Sequence, residues 1–76
     1  MTKYIFPVVI EKDKHGYFAY CPTLQGCYTQ GDTYEEALAN IRDAIQLHIA
    51  DRLASNEPIP EVDTVSLTMM ELEIAA

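Results

Sequence analysis

Two cysteines, Cys21 and Cys27, are the most nucleophilic side chains in this 76-residue chain, and two histidines, His15 and His48, are the groups that would have to assist them. As a zinc site the set is badly spaced: five residues separate the cysteines, against roughly two to four in a zinc hairpin. His48 falls in the middle of a helical pattern and His15 in a hairpin loop, so the cysteines read as free thiols that pack like small apolar groups. Catalysis by Cys27 with a histidine base needs a third residue to orient the base and a pocket for an oxyanion, and the sequence identifies neither. Asp13, Asp32, Asp43 and Asp51 raise the question of a magnesium cluster. Asp32 is better explained as a helix-start residue, and Asp43 and Asp51 sit beside Arg42 and Arg52 on a solvated helix face. Gly26 and Gly31 are turn glycines, because no glycine-rich run ends in Lys-Ser or Lys-Thr. The reading is therefore of no catalytic set, no metal and no cofactor.

The five tyrosines would suit base stacking if they alternated with Arg and Lys. The charge has the opposite sign: 12 Asp and Glu against 5 Lys and Arg give a net −7. Nucleic acid is thus a poor partner, and the tyrosines are read as core and interface groups with a large apolar body and a polar tip. The acidity is uneven. The first 31 residues carry three lysines against two acids, whereas Asp32, Glu35, Glu36, Asp43 and the carboxylates after residue 55 make the remainder strongly negative. A basic partner follows from that asymmetry.

These side chains must be positioned by a small fold. A chain of this length buries roughly 60% of its extended surface, which allows one core and a single domain over residues 1–76. With 49% apolar and 22% charged residues it is of globular type. Its longest apolar stretch, residues 4–10, is far short of the roughly 18 residues of a membrane span. Met1-Thr2-Lys3 opens no signal peptide, so a cytoplasmic location, with reduced thiols and no membrane association, is expected.

Residues 3–11 read as a first strand with both faces apolar, Pro7 implying an unpaired or bulged side at that point. A polar loop over residues 12–16 leads to a second strand at 17–21, and Pro22 and Gly26 bracket a turn before a third at 27–30. Thr33 and Glu36 have the spacing of a capping box. The helix they open runs to about residue 53 with Leu38, Ile41, Ile45 and Ile49 on one face, supported by Ala37, Ala44 and Leu53. Pro58 and Pro60 end it. Residues 64–74 read as a fourth strand whose apolar parity switches from Val65, Leu67 and Met69 to Met70, Leu72 and Ile74, as at a bulge or a change of partner.

The expected architecture is α+β, a two-layer β-β-β-α-β sandwich with a right-handed crossover to the last strand. One helix covers only one face of such a sheet. Since strands one and four are apolar at both parities, a second copy of the chain is expected to bury the rest, in a homodimer or a higher even oligomer.

The run from Gly16 to Ala37, with Pro22, Leu24, Gly26 and Cys27 in one turn, then Gly31-Asp32-Thr33 and Glu35-Glu36-Ala37, resembles the signature of HicB-type antitoxins. The likeness extends from Tyr4 to about Ile74. It implies a partial ribonuclease H-like fold that does not cleave RNA. It also implies a role in binding and neutralising HicA, a small basic toxin that cuts messenger RNA, by masking its RNA-binding or active surface. The resemblance makes Pro22, Leu24, Gly26, Cys27, Gly31 and Thr33 determinants of the motif and its loop. Asp32, Glu35, Glu36 and Asp43 are the residues expected to meet the partner. Typical relatives carry a C-terminal DNA-binding domain for which 76 residues leave no room, so no direct DNA binding is expected. Two other readings stand beside this one: an orphan HicB-like regulatory domain that binds a protein or ligand without a toxin, and a small hydrolase using Cys27 or a carboxylate pair.

Overall fold

The structure, a computed structural model, describes residues 3–62 and 64–75. Met1 and Thr2, read above for a signal peptide, lie outside the described residues, as do Asp63 and Ala76. Three strands, β1 (Val9–Asp13), β2 (Gly16–Tyr20) and β3 (Tyr28–Gly31), precede one helix, α1 (Tyr34–Ala54). The strands form an antiparallel sheet in the order β1-β2-β3, and α1 packs across one side of it.

The hairpin between β1 and β2 is tighter than the polar loop suggested, because the ladder runs out to a pair between Asp13 and Gly16. The turn is held by the His15 backbone N–H, which donates to Asp13 Oδ1 at 2.7 Å, and by Gly16 at φ +135°, a conformation that favours glycine. The register sorts the side chains into two sets. Ile10, Ala19 and Thr29 lie in one cross-strand row and Lys12, Tyr17 and Gly31 in the next, on the side of the helix. The rows Val9-Tyr20-Tyr28 and Glu11-Phe18-Gln30 lie on the other side.

Helix α1 begins where expected. Thr33 is the N-cap and its Oγ1 accepts from the Glu36 N–H at 3.1 Å. Glu36 Oε1 reaches back to the Asp32 N–H at 3.3 Å, one residue earlier than in the usual capping box. At the far end Ser55 closes the last turn on Asp51 O, and Asn56 takes a left-handed φ of 58° while donating to Leu53 O. The helix is seated on β3 by two contacts. Asn40 Nδ2 donates to Gln30 O at 2.8 Å, and the backbone of Ala37 lies so close to Gly31 that a Cβ there would stand 2.5 Å from its nitrogen. The core is small: Ala19, Cys21, Leu24, Cys27, Ala37 and Ile41 are buried, with Phe6, Val8, Ile10, Tyr17, Ala44, Ile45 and Ile49 packed around them. Leu38 and Leu53, expected on the buried face of the helix, are exposed.

Two expectations are corrected. The ladder of the first strand starts at Val9 and not at residue 3; Pro7 has no N–H to donate, and residues 3–8 continue outside the sheet with Phe6 and Val8 still against the core. The fourth strand does not form. The described part of residues 64–75 pairs with no strand of the chain, so the described order is β-β-β-α, without the crossover or a bulge at Met69-Met70. Apolar alternation marks a segment that needs cover, but a strand exists only as part of a ladder. After α1 the chain turns on two bonds: the Glu57 N–H donates to Arg52 O at 2.8 Å and Arg52 Nη1 to Pro58 O at 3.1 Å. The result is an elongated chain, with a radius of gyration of 15.0 Å against about 11 Å for a compact domain of this size.

Candidate protein-binding surface

Because one helix covers one side of the sheet, the opposite parity of β2 and β3 is left uncovered, and it is aromatic. Phe18 is at its centre, with ring centroids 5.8 Å from Tyr20 and 5.9 Å from Tyr28, both tilted. These separations are those of favourable aromatic pairs. Phe18 is 38% exposed and Tyr28 63% exposed, so the cluster presents its rings to solvent. Sequence reasoning reads the tyrosines as core and interface groups but does not single out this trio: Phe18 and Tyr20 share a parity on β2, and Tyr28 joins them only through the register of β2 and β3.

At the hairpin end of the sheet an open cleft of about 470 Å³ lies between β1-β2, the end of β3 and the start of α1. Four carboxylates line it, Glu11, Asp13, Asp32 and Glu36, with Lys12 and His15. Two of the four are partly engaged: Asp13 accepts from the His15 N–H and Glu36 from the Asp32 N–H. Lys12 is drawn aside, its Nζ 5.8 Å from the centroid of Tyr17. Glu11 and Phe18 line both this cleft and the hollow beside Tyr20 and Tyr28, so the acidic and aromatic surfaces are continuous.

Of the four residues expected to meet a partner, the fold brings Asp32 and Glu36 together in this cleft. Glu35 lies on the rim of a different groove, between residues 4–8 and α1, and Asp43 is exposed on the helix and lines neither. Glu11 joins the acidic set although nothing in its local sequence singled it out; only the antiparallel register, which sets Glu11 opposite Phe18, reveals it.

The turn from Cys21 to Cys27 forms the far border of the aromatic face. Its backbone is closed on itself: Cys21 N–H donates to Cys27 O at 3.0 Å, Leu24 N–H to Cys21 O at 3.1 Å, and Cys27 N–H to Leu24 O at 3.2 Å. Leu24 is driven into the core, Pro22 and Gly26 stay at the surface, and Gly26 sits at φ +79°. Both cysteines are free and buried. Burial, and then the neighbouring Cys21, push the Cys27 thiol up from its ordinary value, which keeps it protonated and a poor nucleophile. Among the described residues no three His, Cys, Asp or Glu side chains converge to hold a metal, and no helix is long and apolar enough to cross a membrane.

Such a surface, flat, aromatic and acid-rimmed, is suited to another protein, and comparison with known proteins points the same way. Residues 6–75 match the family described as the HicB_like antitoxin of bacterial toxin-antitoxin systems. The UPF0150 protein ssr1765 of Synechocystis is 46% identical over 63 residues, covering 82% of this chain and 80% of that protein. The UPF0150 protein Ta0767 of Thermoplasma acidophilum is 42% identical, over 84% of this chain and 94% of its own length. An uncharacterized 14.9 kDa protein of Haemophilus phage HP1 is 36% identical over 80% of this chain but only 46% of the phage protein. Among solved structures, a chain of a HicA3 and HicB3 toxin-antitoxin complex superposes with a TM-score of 0.61 at 28% identity, covering 76% of this chain and 70% of the other. The chain belongs to the HicB-like antitoxin family, a family of non-catalytic antitoxin domains.

Proposed function

We propose that this chain neutralises a small basic HicA-type toxin, a messenger-RNA-cutting enzyme, by covering its RNA-binding or active surface with the aromatic face and the acidic cleft. The similarity to a chain of a HicA3 and HicB3 toxin-antitoxin complex is the observation that carries this reading. The chemistry of the surface supports it. An RNA-binding protein presents Arg and Lys, and a guanidinium stacks on exposed rings such as Phe18 and Tyr28 while pairing with an adjacent carboxylate such as Glu11. Glu11, Asp13, Asp32 and Glu36 steer the basic toxin, and Glu35 and Asp43 extend the negative field along the helix. In this reading the chain acts through a single domain of partial ribonuclease H-like fold, as a homodimer or higher even oligomer, in the cytoplasm.

Co-expression with the product of the adjacent gene tests the proposal. Growth should be rescued and a complex recovered, and the double substitution Phe18→Ala with Tyr28→Ala should abolish both. RNA cleavage by that product that continues in stoichiometric excess of this chain would overturn it and leave the orphan regulatory reading.

A further inference from the structure

The segment that forms no strand and an apolar groove along α1 suit each other in length and chemistry. Val65, Leu67, Met69, Met70, Leu72 and Ile74 are between 49% and 89% exposed. Crowded into one stretch of backbone, they expose more apolar surface than the few hundred Å² that a monomeric protein commonly tolerates. The groove is walled on one side by Tyr4, Phe6 and Val8 and on the other by the α1 residues from Leu38 to Leu53, and encloses about 960 Å³. Nothing among the described residues fills it. Its helical wall from Leu38 to Leu53 is fifteen rises long, about 22 Å at 1.5 Å each. An extended segment covers that length in about seven residues, so residues 64–74 suffice with some to spare.

We infer that residues 64–74 of one chain lie in the groove between residues 4–8 and α1 of a second copy, and that the exchange is reciprocal. The second copy is favoured over the segment's own chain by the way the chain leaves α1. The Arg52 side chain on Pro58 O, the Glu57 N–H on Arg52 O and the fixed φ of Pro58 and Pro60 stiffen the exit, and none of residues 64–74 lines the groove of its own chain, their apolar side chains staying exposed. Short, stiff hinges of this kind promote exchange between copies. Residues 4–8 lead directly into β1, whose outer edge pairs with no strand among the described residues, so a tail running on from the groove meets there the ladder it lacks at home. Both parities are then used: one set of apolar residues faces α1, and the other covers the open side of residues 4–8, where Ile5 stands exposed. Two tails in two grooves bury an area on the order of the 1,600 Å² typical of stable protein–protein interfaces.

The inference rests on the dimer of the proposed function but concerns the chain without any toxin, so its failure and a failure of toxin neutralisation are distinguishable. Sedimentation of the wild-type chain at tens of micromolar should give twice the 8.6 kDa of one copy. A tail variant, Leu72→Glu with Ile74→Glu, and a groove variant, Leu38→Lys with Leu53→Lys, should each sediment as one copy while keeping native circular dichroism; all four positions are exposed in the single chain. An equimolar mixture of the two should recover the double mass, because one crossing pairs an intact tail with an intact groove and the other pairs the Glu tail with the Lys groove. A wild-type mass of one copy, variants that remain dimeric, or a mixture that stays monomeric would each overturn it. Tail substitutions that lower stability without changing the mass would show the segment folding onto its own chain instead.

Discussion

Replacing Gly31 by alanine should be the most damaging single-methyl change in this protein, and the structure gives the reason. A Cβ at residue 31 would stand 2.5 Å from the Ala37 nitrogen, 2.9 Å from its Cα and 3.0 Å from the Glu36 carbonyl carbon. All three are backbone atoms, so no side chain can rotate away. Reaching ordinary contact requires α1 to move off the end of β3 by about 0.9 Å at its first turn, and overpacking of this kind costs roughly 1–3 kcal/mol. The same displacement strains the bond from Asn40 Nδ2 to Gln30 O, one residue away, for about another 1 kcal/mol. A loss of roughly 2–4 kcal/mol is a large share of the total for 76 residues at about 0.05–0.15 kcal/mol each. Gly26 supplies the comparison. A Cβ there meets nothing within 4 Å, and its φ of +79° is the sole penalty, about 1–2 kcal/mol. Urea unfolding followed by circular dichroism, at one fixed protein concentration so that association does not enter, measures both. With a slope near 1 kcal/mol per molar urea, the midpoint should fall by roughly 2–4 M for Gly31→Ala and about 1–2 M for Gly26→Ala. If Gly26→Ala proves as destabilising as Gly31→Ala, the seating of the helix on β3 is not what holds this fold together.

Further outcomes follow from the caps, the buried thiol and the exposed charges. Thr33→Ala removes the oxygen that accepts the Glu36 N–H and should cost about 1 kcal/mol in the same urea assay. Cys27 should resist alkylation by iodoacetamide in the native protein and react readily in urea. Because burial raises its folded pKa, the unfolded thiol ionises first; the stabilising contribution is complete below the ordinary thiol value of about 8.5 and is lost as pH rises from there through the folded value. Stability measured from pH 8 upward should therefore decline, and should do so less in Cys27→Ala. Asp32→Lys should slow toxin association and flatten its salt dependence in stopped-flow measurements, more than Asp43→Lys, which lies outside the cleft. Tyr28→Ala should change the stability of the free chain by no more than about 0.5 kcal/mol, yet weaken toxin binding about thirtyfold or more if Tyr28 is a central anchor.

Where the sequence was legible, the determining interactions were local. The Thr33–Glu36 cap, the spacing of Ala37, Ile41, Ala44 and Ile45, and the turn between Pro22 and Gly26 each involve residues a few positions apart, and all are in place. Residues 64–74 illustrate the opposite case. Their alternation reports a need for cover, but a strand's partner is non-local, and whether a ladder is on offer leaves no trace in apolar periodicity. The surface falls between the two. Asp32 and Glu36 stand out in the sequence because acids at a helix start are conspicuous, whereas Glu11, Phe18 and Tyr28 become neighbours only through strand register. Grouping Asp43 with the first two followed charge along the chain, and the turn of the helix carries it elsewhere.

The turn from Cys21 to Cys27 is anchored from within: three backbone bonds close it on itself, and the Leu24 side chain plugs it into the core. The exposed Gln25 takes no part in that anchoring. Its side chain can be exchanged without disturbing the backbone bonds of the turn or the Leu24 plug. Because the turn borders the aromatic face, position 25 can alter what a partner meets there while the scaffold beneath stays the same.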